Sequence, residues 1–404
     1  MSNNKRLIGL VAFAIAVLIL SGCATYQTRP VQELPVAKRT HTQTKANVRV
    51  TAAVLSAKES EEAFGLPLYE RGIQPVWLKI ENETDDPVWF LPTSVDRDYL
   101  PPLEVAYMHH TNLGREYNNQ MDQYLHEQAM GRYIGPKGAK SGFLFTNLHE
   151  GTKIFNVDIA QNDPELPLIN YTFLIQVPGL RADYERVDFD NLYAKNQIID
   201  YDEQRLRKAL YDLPCCTTNA DGSKQGDPLN IVIVGEGGDV EYAFVRSGWQ
   251  PMISPGASGD TSQHYFYGRP QDVTLRKLRA GGDERNRLRL WMSPMEVDGK
   301  PVWIGQIGQN SIPATTREAS IRFRLAADVD DARDYLIQDM LYSQGILKFG
   351  DIKASEPVPI SKPRKSFEGE KYFTDGYRTV FWFTRDPVDF EEVGYLEWDE
   401  PPSK

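Results

Sequence analysis

Val76-Trp77-Leu78-Lys79-Ile80-Glu81 places Val76, Leu78 and Ile80 in strict alternation with Trp77, Lys79 and Glu81. A strand turns successive side chains to opposite faces, so this spacing gathers the three aliphatic residues on one buried face. The same period of two recurs upstream, where Val48, Val50, Ala52 and Val54 alternate with Arg49, Thr51 and Ala53. Downstream it returns in Phe155, Val157 and Ile159, and again in Tyr171, Phe173, Ile175 and Val177. Thr84-Asp85-Asp86 is a polar turn, after which Pro87-Val88-Trp89-Phe90-Leu91 resumes as a strand. Short alternating runs broken by turns predict a β-sandwich over residues 47–180. Within it, the polar segment Leu113 to Tyr133 has helical character, and Gly135, Gly138 and Gly142 surround a loop. The expected architecture is an immunoglobulin-like sandwich with one helical insertion.

Beyond residue 180 the pattern changes. Residues 181–213 read as a helical connector: Asp200 precedes Glu203 by three, as at a capped helix start, and Leu206, Ala209, Leu210 and Leu213 repeat at helical spacing. Leu229 to Val234 is an unbroken apolar run, read as a buried strand. Gly235 to Gly238 ends it, and Val240, Ala243 and Phe244 then share a helical face that stops at Gly248. Strands are expected at 264–268, 272–277, 286–292 and 301–308. Asp328-Val329-Asp330-Asp331 opens a further helix, its acids complementing the exposed amides of the first turn. Strands at 346–352 and 379–384 follow. This mixed order predicts an α+β domain over 214–385, with 386–404 as an acidic C-terminal tail. The chain therefore reads as an all-β immunoglobulin-like sandwich followed by an α+β domain.

The 404 residues are 41% hydrophobic and 25% charged, ordinary for a folded chain of two or three domains. The formal charge of −11 argues against nucleic acid as a partner. Lys5 and Arg6 precede the uncharged run Leu7 to Leu20, which is shorter than the roughly 20 residues of a comfortable membrane span and fits the apolar part of a signal peptide. Leu20-Ser21-Gly22-Cys23 then resembles a bacterial lipobox. In that family of signals the cysteine is lipidated and the chain is cut before it. The resemblance implies a signal peptide over 1–22 and acyl chains such as palmitate on Cys23. An ordinary signal peptide, or a membrane anchor with a chance cysteine, is the alternative. Ala24 stands where aspartate would resemble an inner-membrane retention signal, which points to the outer membrane and a periplasm-facing chain. Residues 23–46, with Pro30, Pro35 and few large apolar side chains, read as a flexible tether. In such an oxidising compartment Cys215 and Cys216 read as structural residues of the turn Leu213-Pro214-Cys215-Cys216, against the alternative of a redox or metal-binding pair. Their oxidation state stays open.

Several motifs in the third region resemble one family. Asp227-Pro228-Leu229-Asn230 before the apolar strand, Gly248-Trp249 after the first helix, and Tyr267-Gly268-Arg269-Pro270-Gln271-Asp272 are three of them. Arg287-Leu288-Arg289-Leu290-Trp291, Val302-Trp303-Ile304-Gly305, Asp328-Val329-Asp330 and Arg333-Asp334 complete the set. Together they resemble the LssY C-terminal domain over about 214–350. That domain is found attached to membrane proteins of the type-2 phosphatidic acid phosphatase and DedA kinds, and it has no established activity of its own. Family members often carry histidines where this chain has Asn286 and Phe323-Arg324, which weakens any histidine chemistry.

Residue patterns that carry chemistry are sparse. His126-Glu127 begins like a zinc-protease helix, but Met130 stands at the second histidine position. His109-His110 is expected on a strand or its rim, with the rings pointing opposite ways. Gly235-Glu236-Gly237-Gly238 lacks the lysine of a nucleotide loop and reads as a tight strand-to-helix turn. The acids from Asp328 to Asp334 lack the glycine of a calcium loop. No pattern implies a cofactor or a metal. The remaining candidate is a run of bases, Arg269, Arg276, Lys277, Arg279, Arg285, Arg287 and Arg289, since guanidinium groups bind phosphate and carboxylate bidentately. A ligand site would comprise Arg269, Asp272, Arg287, Arg289, Trp291, Asp330 and Asp334, with Tyr267 and Trp291 as walls. Alternatively the arginines pair with Asp272, Asp283, Glu284 and Asp334 as structural ion pairs. The sequence thus favours a lipid-anchored, non-enzymatic binding or interaction module of the cell envelope. Its partners would be the membrane, through the lipid, and an anionic lipid or an envelope protein. The alternative is an envelope enzyme acting on a phosphate-containing ligand.

Overall fold

His41–Lys45 (β1) and Val48–Val54 (β2) form a hairpin whose turn residues, Ala46 and Asn47, take left-handed backbone angles (φ 45° and 58°). A two-residue turn between twisted strands demands that conformation. The structure, a computed structural model, describes residues 26, 28–30, 33–95, 99–112, 114–149, 151–177, 182–252, 264–279, 284–311, 323–367 and 369–402. It is mostly β, with several sheets. The chain divides into two compact units: the residues up to Leu148 with Phe155–Ile175, and His149–Ile154 with Gln176 onward.

In the first unit, β1 and β2 continue through Ile73–Asn82 (β3) to Ala139–Asn147, and Val88–Leu91 (β4) lies in a second sheet. Tyr133–Ile134 (β5) pairs with β4; Ala139–Asn147 is β6. Thr152–Ala160 (β7) and Ile169–Gln176 (β8) complete the second sheet, in the order β5-β4-β7-β8. The alternating residues Val48, Val50, Ala52, Val76, Leu78 and Ile80 are buried, as the period of two requires. Tyr171 of β8 donates its hydroxyl to the carbonyls of Lys45 and Val48, tying the second sheet to the first.

The first sheet is buried on its other face too. Ala53, Phe143 and Phe145 pack against three helices: Ala57–Phe64 (α1), Pro102–Met108 (α2) and Arg115–Glu127 (α3). Only α3 matches the expected insertion. The start of α1 is nonetheless written in the chain, because Ser56 and Glu59 cap each other reciprocally. His109 ends α2, with its Nδ1 at 2.7 Å from the Val105 carbonyl, and His110 reaches Asp122 at 2.7 Å. Neither histidine lies on the expected strand. Nor do the described residues of the expected tether 23–46 hang free: β1 falls among them, and Leu34 and Val36 are buried in the helical layer.

The second unit is built on a nine-stranded sheet. Ile231–Val234 (β12) lies at its centre, after Ile199–Tyr201 (β9), Cys216–Thr218 (β10) and Gln225–Pro228 (β11). Trp249–Pro251 (β13), Tyr265–Phe266 (β14), Arg269–Pro270 (β15), Val273–Leu278 (β16), Glu284–Val297 (β17) and Lys300–Gln309 (β18) follow. The last are Ile346–Lys353 (β19), Arg364–Lys365 (β20), Lys371–Tyr372 (β21), Tyr377–Phe383 (β22) and Gly394–Leu396 (β23). The large sheet runs β13-β16-β17-β18-β12-β22-β19-β23, with β9 beside β17.

Burial on both faces explains the unbroken apolar run of β12. Ile231 and Ile233 pack with Gly237–Arg246 (α5) and Asp330–Ser343 (α6), through Val240, Phe244, Leu336 and Met340. Val232 and Val234 face the other way, onto Leu206 and Leu210 of Glu203–Tyr211 (α4). Residues 181–213 are therefore no separate connector. They contain two short 3-10 turns, β9 and α4, all within this unit. The stretch 386–404 is likewise more than a tail, since β23 pairs in parallel with β19. Of the expected strand at 264–268 only Tyr265–Phe266 (β14) is extended; Tyr267 and Gly268, both at positive φ, turn the chain back so that β15, just beyond the expected stretch, pairs with β14.

Candidate functional site

Antiparallel pairing of β16 and β17 sets Thr274 opposite Arg289 and Arg276 opposite Arg287, so these side chains share one face of the sheet. Leu288 and Leu290 point to the other, into the core beneath α5 and α6. The structure sorts the seven expected site residues into three sets.

Arg269, Asp272 and Trp291 form the first. Arg269 grips Asp272 with two parallel hydrogen bonds, Nε to Oδ1 at 2.9 Å and Nη2 to Oδ2 at 2.8 Å. Nη2 also donates to the Met292 carbonyl (2.6 Å), and Nη1 donates to the Tyr193 hydroxyl (2.7 Å). Asp272, 3% exposed, accepts a further bond from the Met292 amide. The indole of Trp291 donates to the Arg269 carbonyl at 3.2 Å. Burial works against the Arg269 charge, but Asp272 outweighs it and raises the guanidinium above its ordinary range. This is a bidentate clasp that fixes the loop between β15 and β16 to β17, and its donors are engaged by protein groups.

Arg287 and Arg289 form the second set, both buried. Arg287 holds Glu284 with two bonds of 2.6 and 2.7 Å, and Arg289 donates to Gln306 of β18 at 2.7 Å. The Phe323 ring lies beneath both guanidinium groups, 4.8 and 5.9 Å from its centroid. Arg279 donates to the backbone carbonyls of Glu284 and Asn310, Lys277 binds Asp339, and Arg285 stacks on Tyr335. The run of bases is thus spread over several partners. Asp283 lies outside the described residues.

Asp330 and Asp334 belong to the third set, gathered around buried Arg333. Its guanidinium binds Asp375 with two 2.8 Å bonds and lies 3.6 Å from Asp330 and 3.5 Å from Asp334. Asp330 also accepts from Thr374 and from the Asp375 amide, each at 2.7 Å. Burial raises the Asp330 carboxyl above its ordinary range against these hydrogen bonds. Asp351, beside the same group, is raised for the same reason.

The remaining motifs also resolve. The turn after β12 carries no phosphate loop: the Asp239 carboxylate accepts from the Glu236 amide at the head of α5 and pairs with Arg385 at 3.2 Å. Cys215 and Cys216 are joined by a disulfide. Among the described residues no group of three or more His, Cys, Asp or Glu is arranged to hold a metal ion. Sequence reasoning missed Tyr193, the second partner of Arg269, and Arg378. The latter is fully buried and donates to the carbonyls of Leu229 (2.7 Å), Leu210 (3.0 Å) and Pro214. Burial pulls its guanidinium down to about 10.

Residues 261–377 match the family model of the LssY C-terminus. The domain is LssY-like. All seven expected site residues fall inside the matched span, as do β16, β17, β18 and α6. The span starts later and ends further on than the motif resemblance over 214–350. Asp227-Pro228-Leu229-Asn230 and Gly248-Trp249 precede it. Within the LssY-like segment Arg269 and Arg333 clasp β15 to β17 and α6 to the stretch before β22. No curated protein matches the chain.

Proposed function

We propose that the chain is a lipid-anchored cell-envelope protein, held to the outer membrane through Cys23 and facing the periplasm, whose folded units act as a non-enzymatic binding or interaction module. The lipobox-like Leu20-Ser21-Gly22-Cys23 carries the reading; Cys23 lies outside the described residues. The Cys215–Cys216 disulfide supports it, because such bonds persist in oxidising compartments. The engagement of Arg269, Arg287 and Arg333 by Asp272, Glu284 and Asp375 supports an architectural use of the arginines. An envelope protein or the membrane itself is then the partner class.

The same reading takes the first unit as an immunoglobulin-like sandwich with a helical layer, followed by an α+β domain. The two four-stranded sheets tied by Tyr171 support it. Metabolic labelling with a fatty-acid probe tests the anchor: the wild type takes up label and a Cys23→Ala variant does not. Label that persists in the variant overturns the assignment.

A further inference from the structure

Tyr26 stands three residues beyond Cys23, and it is docked. Its amide donates to Gln120 Oε1 at 3.2 Å, and its hydroxyl donates to the Phe64 carbonyl. Its ring sits edge-on to Tyr117 and Tyr124, each with centroids 5.7 Å away. Burial, with Tyr124 and Tyr117 beside it, pushes the phenol above its ordinary range and keeps it a donor. The strap continues. The Arg29 amide donates to the Glu62 carbonyl (3.0 Å), its guanidinium pairs with the Glu62 carboxylate (3.1 Å), and Leu34 and Val36 are buried among Phe64, Met121 and Leu125.

This docking sets a distance. A free tether of 23–46 would let the folded unit wander, with a root-mean-square span of about 25 Å for a flexible chain of that length. Three residues reach at most about 11 Å, since consecutive Cα atoms are about 3.8 Å apart. We infer that the helical layer α1–α3 of the first unit lies against the lipid surface into which the acyl chains on Cys23 insert. The inference rests on the lipid anchor proposed above, and it names the membrane as the occupant of that face. Leu103 and Tyr107, one helical turn apart on α2, are 41% and 61% exposed on the same layer and suit the headgroup region, where tyrosine is at home. Glu61, Glu62, Glu116 and Glu127 on α1 and α3 fit a zwitterionic surface better than a strongly anionic one. The opposite end of the unit carries the Ala46-Asn47 turn, joined to Glu83 through a 2.9 Å backbone bond.

The test uses the full acylated chain in phosphatidylcholine vesicles that contain a lipid with a nitroxide-labelled headgroup. A fluorophore is attached at Lys58→Cys on α1 or at Asp85→Cys at the far end, positions whose native side chains are 86% and 91% exposed. The seven residues of β2 alone separate the two ends by about 20 Å, so quenching should be at least about threefold stronger at position 58. Equal quenching at both positions, or stronger quenching at 85, overturns the inference. Adding Tyr26→Ala frees the strap and should bring the position-58 signal down toward that of position 85; an unchanged contrast refutes the role of the docked strap. The mass of the N-terminal peptide separates the two levels. Acyl mass on Cys23 with equal quenching refutes only the orientation, whereas its absence refutes the anchor and the orientation with it.

Discussion

Replacing Asp183 by asparagine should stabilise the second unit at neutral pH and leave it unchanged near pH 4. Asp183 opens the 3-10 turn Asp183–Arg186 and is 5% exposed. Its amide donates to the Met252 carbonyl (2.8 Å), and its carboxylate accepts from the Thr274 amide (3.4 Å). Burial raises the carboxyl from 3.8 to about 6, and the Thr274 hydrogen bonds and Arg186 only partly offset it. A carboxyl raised on folding favours the folded state while it holds its proton. That contribution is complete below the unfolded value, near 4, and is lost as the pH climbs through about 6. A shift of roughly two units at about 1.4 kcal/mol each amounts to a penalty of about 3 kcal/mol at pH 7. Asparagine keeps an oxygen for Thr274 and cannot ionise. At about 2–4 °C per kcal/mol for a unit of this size, the variant should melt about 6–12 °C higher at pH 7. Urea titrations of wild type and variant at pH 4, 5, 6 and 7, read by the fluorescence of Trp249, Trp291 and Trp303, give the difference directly. A gain that is the same at every pH, or a loss at pH 7, refutes the reasoning.

Arg269→Ala strands the buried Asp272 carboxylate and should cost about 3–5 kcal/mol in chemical denaturation, with Arg269→Lys costing less; a loss under about 1 kcal/mol would mean the clasp does not hold β15 to β17. Gly226→Ala would set a Cβ 2.0 Å from the Phe367 ring and should destabilise by about 1–3 kcal/mol, with a smaller ring-free residue at 367 recovering part of it in a double-mutant cycle. Leu210→Ala should cost about 2–5 kcal/mol, and limited proteolysis should spare Glu203–Tyr211, because α4 is packed on the large sheet; ready cutting there would restore a loose connector.

Local pattern alone determined a good deal. The alternation in Val48–Val54 and Val76–Glu81, the apolar run Leu229–Val234 and the helix opened by Asp328–Asp331 each depend on neighbours within a few residues, and each has its counterpart in β2, β3, β12 and α6. The set of motifs around Arg269, Arg289 and Asp330 was enough to reach the LssY-like segment. The reciprocal cap of Ser56 and Glu59 that starts α1 is an equally local signal, but α1 was not among the expected helices. Partner choice over long separations was not legible. Which acid an arginine grips depends on strand register and on what lies across the sheet, so Arg333 with Asp375, Arg269 with Tyr193 and Arg378 with three carbonyls emerge only once β17, β22 and the helices are in place. The polar composition of residues 23–46 suggested a tether, because composition reports the lack of a self-contained core. Tertiary structure decided otherwise: Tyr26, Leu34 and Val36 find theirs on α1 and α3, surface that no stretch of the tether could supply for itself.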